Sequence, residues 1–279
     1  MTTSARRATG GIAWYAFGAF LLLFRERSLF ARLVSRDVGS RYKGSVFGIL
    51  WSLLNPLALL CVFGFVFGVV FQARWGVAGD TKSFALVLFS GLVLFLFASE
   101  CINRAPMLIL QNSNYVKKVV FPLELLPPVV VGGAAVNLCI SLAILLVGQL
   151  VLEGAVPLSW ISVPIIVLPL AVMMAACVFL LSSLGVFLRD LGQITGLVTI
   201  AMMYLSPVLF PIESVPERYR GLLQLNPLTV PVAQLRAATL YGQWPDWAWL
   251  GLYALAAYVL LVLSFAWFWR SKNGFADVI

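Results

Sequence analysis

"RDVGSRYKGSVFGILWSLLNPL", Arg36 to Leu57, decides the fold. Its first eight residues hold four strong charges, Arg36, Asp37, Arg41 and Lys43, and its last fourteen hold none. The uncharged run extends from Val46 to Phe71, longer than the ~20 residues that cross a bilayer as a helix. The basic end reads as an inner-leaflet anchor, each cation there worth about 1 kcal/mol against anionic lipid. Anchoring accounts for the sign of the charge. It does not account for Asp37, or for the glycines of "GSVFG" that break a helix before Trp51. Trp51 lies too far into the run to read as a routine interfacial anchor. Asn55-Pro56 removes a backbone hydrogen bond inside the span and predicts a kink.

Five more apolar runs follow, at about 83–104, 125–152, 161–188, 191–212 and 247–269, the second span broken only by Glu100 before its closing Arg104. The chain is 62% hydrophobic and 11% charged, where a soluble domain carries about a quarter charged residues. Backbone in hydrocarbon must bond to itself, and no alternating pattern suggests a barrel, so the runs predict helices. The fold class is therefore an all-α membrane protein with six transmembrane helices: a cytoplasmic segment 1–45 precedes a transmembrane domain 46–279.

Basic residues orient the spans. With the N-terminus in the cytoplasm, fourteen of the nineteen Lys and Arg fall inside. Arg74, Lys82, Arg218, Arg220 and Arg236 fall outside. This bias predicts N-in and C-in, and it explains the net charge of +8 without nucleic acid. Segment 213–246 holds the uncharged run "GLLQLNPLTVPVAQL", too short and too proline-broken to span. It reads as an outer re-entrant or gate hairpin. In segment 1–45, Phe20, Leu23, Phe24, Phe30 and Val34 share one helical face, with Arg25, Arg32 and Arg36 opposite and Arg27 spoiling the apolar side. This predicts one amphipathic helix lying along the membrane surface. The N-terminus does not read as a cleaved signal.

Several chemistries are excluded. The chain has no histidine, which removes Ser-His and Cys-His triads and most metal hydrolases. Cys61, Cys101, Cys139 and Cys177 sit in or beside apolar runs with no paired spacing, so no disulfide or zinc framework is indicated. "GSRYKGS" fails the spacing of a phosphate-cradling loop, so ATP energy would have to arrive through a partner. Glycines Gly64 and Gly68, and Gly192 and Gly196, have the four-residue spacing that permits close helix contact and read as packing. Trp244, Trp247 and Trp249 read as one interfacial belt, Trp267 and Trp269 as the other.

The opening stretch resembles the signature of the membrane subunits of type-2 ABC transporters that export polysaccharides such as O-antigen, capsule and teichoic acid. "NYVKKVVFPLELLPP" (114–128), "FASE" (97–100), "SPVLFPIESVP" (206–216) and "LNPLT" (225–229) resemble the same family, in its order and spacing. Gly39 departs from it, standing where many relatives carry a helix-favouring residue. The resemblance implies a homodimer of six-helix subunits in the bacterial cytoplasmic membrane, docked on two ATP-binding subunits. No cofactor is expected on this chain; ATP and Mg belong to the partner.

It also implies site roles. Coupling to the ATPase falls on Arg36, Asp37, Arg41, Tyr42 and Lys43, and on Tyr115, Lys117, Lys118, Phe121, Pro122 and Glu124. Glu100, the one acid well inside a span, reads as a pore or gate residue, or as an ion pair fixing that span. Its helical neighbours Asn103 and Arg104 are its candidate partners. Phe210, Pro211, Asn226 and Pro227 belong to the outer gate. Arg25, Arg27 and Arg32 would meet the pyrophosphate head of a lipid-linked glycan. The implied function is ATP-driven export of that glycan. The alternative is an ATP-independent secondary transporter or lipid flippase, for which Glu100 alone is a poor supply of intramembrane charge.

Overall fold

The structure, a computed structural model, describes residues 12–41, 43–45, 47–70, 84–116 and 121–279. Every regular element among them is helical. Thirteen α-helices run in order: α1 (Ile12–Arg25), α2 (Arg27–Arg41), α3 (Trp51–Phe63), α4 (Phe84–Arg104), α5 (Leu108–Gln111), α6 (Ser113–Val116), α7 (Leu126–Glu153), α8 (Val163–Phe187), α9 (Leu191–Tyr204), α10 (Glu217–Gln224), α11 (Thr229–Thr239), α12 (Trp247–Ser271) and α13 (Phe275–Val278).

Among the described residues, four stretches are long and apolar enough to cross a membrane: Phe84–Arg104, Leu123–Glu153, Leu158–Phe187 and Trp247–Val278. Their ends follow from the sequence. Prolines open α7 and α8, where a missing N–H costs nothing. Gly154, at φ 71°, closes α7 in a left-handed cap. Asp246 caps α12 by accepting from the N–H groups of Ala248 (3.0 Å) and Trp249 (3.2 Å).

The first and fifth predicted spans form shorter helices. Gly44 and Gly48 take positive φ, 87° and 53°, and turn the chain between α2 and α3. The helix therefore starts at Trp51 rather than at Val46, and Trp51 stands at its mouth, edge-on to Phe47. Pro56 lies inside α3, and a π-helical stretch, Gly64–Val70, prolongs that helix. α9 ends at Tyr204 rather than continuing to Ile212, because Pro207 and Pro211 withhold amide donors and push their predecessors out of the helical region. Its 14 residues extend about 21 Å.

The N-terminal segment also departs from its expected form: α1 and α2 are two helices that meet at Glu26. α2 continues through Gly39 to Arg41 despite that residue's poor helix propensity.

α4 is the central element, with an unbroken buried run from Leu86 to Leu94. α8 packs along α12, where Phe179 meets Phe265 and Phe268 edge-to-face, each at 5.4 Å between ring centres. The closest approaches occur at glycines other than those the sequence pattern selects. A Cβ at Gly185 would strike the backbone of Pro106, and one at Gly91 would lie 2.7 Å from Arg236 Nη2 and 3.1 Å from Val208 Cα. Gly196 meets nothing within 4 Å, and Gly192 meets only Met107 at 3.6 Å.

Candidate coupling and transport site

α2 lies against α7 at a glycine pair. A Cβ on Gly132 would fall 2.8 Å from Val34 and 3.1 Å from Phe30, and one on Gly133 would collide with Asp37 and Arg41. Hydrogen atoms at these two positions let α2 approach closely enough to bring its charges onto α4.

The result is a four-membered ionic cluster. Arg41 donates to Asp37 Oδ2 from Nη2 (2.7 Å) and Nε (3.2 Å), and pairs through Nη1 with Glu100. Arg104 grips Asp37 with both arms, Nη2 to Oδ1 at 2.5 Å and Nη1 to Oδ2 at 3.1 Å, and reaches Glu100 Oε1 at 3.4 Å. Asn137 of α7 donates to Glu100 Oε2 at 3.0 Å. Two cations thus balance two anions; α2 and α4 supply one of each, and α7 adds the neutral Asn137 amide. Burial alone would raise the Asp37 carboxyl. Hydrogen bonds from Arg104 and Arg41, with their charges, outweigh it and hold the group below its ordinary value.

Arg104 is therefore a partner of Glu100, as its spacing predicts. Asn103 is not: it meets Thr199 of α9 at 3.4 Å. The two further partners, Arg41 and Asn137, lie far away in sequence, and no local spacing signals them.

Of the other predicted coupling residues, Arg36, Tyr115 and Phe121 meet one another. Arg36 donates to the Tyr115 hydroxyl at 2.6 Å, with its guanidinium 5.6 Å from that ring's centre. Tyr115 stacks on Phe121 at 4.3 Å and 19°. Pro122 follows, forming part of the wall of a groove shared with α1 and with Phe265 and Trp269 of α12. Glu124 is buried and paired with Lys272, whose Nζ stands 3.1 Å from the centre of the Trp269 ring. Lys272 appears in the sequence only as one more basic residue near the C-terminus. Lys43 is exposed on the turn after α2. Tyr42, Lys117 and Lys118 lie outside the described residues.

The residues read as a pore or gate divide between two ends of α4. Glu100 sits with the coupling residues. The others lie in or beside the turn after α9, whose Val208 carbonyl shares Arg236 with the Val87 carbonyl of α4, about 20 Å along that helix from Glu100. There Asn226 donates to the carbonyls of Met202 (2.9 Å) and Leu205 (3.1 Å), satisfying the open C-terminal turn of α9. Its own Oδ1 accepts from Leu228 N–H at 3.0 Å. Tyr253 of α12 donates to the Pro227 carbonyl at 2.9 Å. Phe210 and Pro211 are half-buried on the turn that leads out of α9.

Arg236, counted as an outside loop charge from sequence, is buried here. It donates to Val87 O (3.0 Å), Ser90 Oγ (3.3 Å) and Val208 O (2.8 Å), and also to Pro207 O. One side chain thereby joins α11, α4 and the turn after α9.

Arg25, Arg27 and Arg32 do not converge. Arg25 pairs with Glu26 at 3.6 Å and edges the groove between α1 and α12. Arg27 lies 5.8 Å from the centre of the Phe24 ring, beside a different apolar recess. Arg32 is exposed.

An all-helical bundle with four apolar spans, and an ionic cluster tying a surface helix to one of them, defines a multi-pass membrane protein. Residues 28–240 match the ABC-2 type transporter model, and the chain belongs to that family of membrane transport proteins. It is 24% identical over 248 residues to the O-antigen export system permease protein RfbA of Klebsiella pneumoniae, covering 88% of this chain and 93% of that one. It is 29% identical over 261 residues to the protein of the same description from Myxococcus xanthus, covering 92% and 97%. The family, and the bacterial permeases it resembles along most of its length, make this chain a transport subunit of a bacterial membrane.

Proposed function

We propose that this chain is the membrane subunit of an ATP-driven exporter that moves a lipid-linked, O-antigen-like polysaccharide out across the cytoplasmic membrane. It works as a homodimer of six-span, N-in/C-in subunits on two ATP-binding subunits, which carry the ATP and Mg. α3 and α9 complete the six crossings, and segment 213–246 forms the outer gate. α2 and residues 113–124 receive the partner's motion.

The observation that carries this reading is the joining of α2 to α4 through Asp37, Arg41, Glu100 and Arg104. A surface helix so tied cannot shift without pulling on a transmembrane helix. The Arg36–Tyr115–Phe121 stack supports it, since it makes the two coupling segments one body. Glu100 also fits poorly with ion-driven transport, because its carboxylate is already held by two arginines and Asn137.

Co-expression with an ATP-binding subunit encoded beside this chain tests the assembly. The expected result is a complex of two and two that survives purification and loses the ATPase on Phe121→Asp. A chain that purifies alone, with no ATPase bound under any condition, would contradict the reading.

A further inference from the structure

α3, α4 and α7 line a cavity of about 310 Å3, open on one side, at the lower end of the roughly 300–1,000 Å3 of small-molecule sites. We propose that this cavity binds one neutral, hydroxyl-rich ring, a single pyranose unit of a glycan. The inference rests on the reading of this chain as a glycan exporter and adds to it a saccharide site inside each protomer.

The lining is the first argument. Asn55 of α3, Ser99, Glu100 and Asn103 of α4, and Asn137 and Ser141 of α7 all border the cavity. Side-chain amides and hydroxyls both donate and accept, as sugar hydroxyls do. Leu59, Val93 and Phe97 supply the apolar remainder of the wall, suited to the C–H face of a ring.

Depth is the second. Asn137 stands about 17 Å along α7 from its first residue, in a helix that runs 28 residues. Polar groups at that depth do not face lipid; they face protein, water or a ligand. Asn55 is exposed, and its amide has no hydrogen-bond partner among the described residues. It stands at the edge of the cavity on α3, whose other polar side chain, Ser52, also borders it.

Charge is the third. Glu100 is held by Arg41, Arg104 and Asn137, and Arg104 is held in turn by Asp37. The ionic cluster closes on itself at the cavity wall, so the lining offers no unbalanced charge to draw an ion. A neutral ligand with many hydroxyls matches this wall, and a phosphate or a metal cation does not.

The test uses full-length protein in lipid nanodiscs and saturation-transfer NMR, which detects weak binding. The probes are the methyl glycosides of glucose, galactose and mannose, with inorganic phosphate as a competitor. Saturation transfer to ring protons of at least one glycoside is expected in wild type and in the remote surface variant Gln243→Ala. Phosphate should not displace it. The signal should be lost in Asn55→Leu, which changes an exposed side chain, and in Ser141→Leu, which fills the cavity. Absence of transfer in folded wild type would mean a cavity holding water only, or one closed by a second protomer, and would overturn the proposal. Transfer that persists in both leucine variants, or that phosphate displaces, would overturn it as well. Vesicles holding the chain with its ATP-binding subunit separate this outcome from the function itself. ATP-dependent export without sugar binding refutes the site alone. Sugar binding without ATP-dependent export refutes the exporter.

Discussion

Arg104, in the last turn of α4, holds Asp37 of α2 by two nearly parallel hydrogen bonds of 2.5 and 3.1 Å. The fork geometry is specific to arginine, because a lysine ammonium cannot present two donors in one plane to a carboxylate. Arg104→Lys should therefore be impaired. Arg104→Leu should cost about 1–3 kcal/mol, discounted for partial exposure. Thermal unfolding in detergent, run beside the Asp37→Asn and double variants, checks this. The two single losses should be strongly non-additive, because each removes the same contact.

The pH dependence of the cluster has a definite sign. Asp37 is held below its ordinary value of 3.8, so its folded form binds a proton less readily than its unfolded form. Its contribution is fully present above that ordinary value and is lost as pH falls through the lower folded value. The stability difference between wild type and Asp37→Asn should stay level from neutral pH down to about pH 5 and shrink only in stronger acid. Melting temperatures of both proteins across a pH series measure it. A difference that vanished near neutrality would remove Asp37 from the account.

The glycine pair of α7 makes a steric prediction. Gly133→Ala places a methyl group where Asp37 and Arg41 already stand, so α2 must move away at a cost of about 1–3 kcal/mol. Gly196→Ala, with nothing within 4 Å, should be neutral or stabilise by up to about 1 kcal/mol through helix propensity. Unfolding midpoints of the two variants, compared with wild type, decide between this assignment and the spacing rule that favours Gly192 and Gly196.

Arg236 joins three elements at the other end of α4. Arg236→Leu leaves the carbonyls of Pro207 and Val208 without their donor and should destabilise the chain by about 2–4 kcal/mol. Arg236→Lys should recover only part of that loss, since one ammonium cannot reach the same acceptors. Protease sensitivity of the 205–228 segment, together with the melting temperature, provides the readout.

The long helices are legible because α4, α7, α8 and α12 are apolar runs with few charges, mostly near their ends. The short ones were less so. α9 continues in hydropathy beyond Tyr204, and only Pro207 and Pro211 mark where its hydrogen bonding stops. Asn226 and Pro227 were legible as a broken, polar point in an apolar run, and the structure gives Asn226 the open carbonyls of α9. Charge counting places Arg236 outside and says nothing of its burial, which only the packed structure shows. Glu100 was visible as a costly acid, but Arg41 and Asn137 reach it only after α2, α4 and α7 have packed. The same holds for Gly132, Gly133 and the Lys272–Glu124 pair, whose roles depend on neighbours remote in sequence.

The central claim is that force enters from a separate ATPase and that this chain conducts. Purified chain, reconstituted in vesicles with lipid-linked glycan on one side, tests it most directly, with and without the ATP-binding subunit. The account expects glycan to appear in the opposite compartment only when that subunit and ATP are both present, and expects Phe121→Asp to abolish the movement while the protein still inserts. Glycan moved by this chain alone, or at the wild-type rate by the Phe121→Asp chain with the ATP-binding subunit and ATP present, would contradict it.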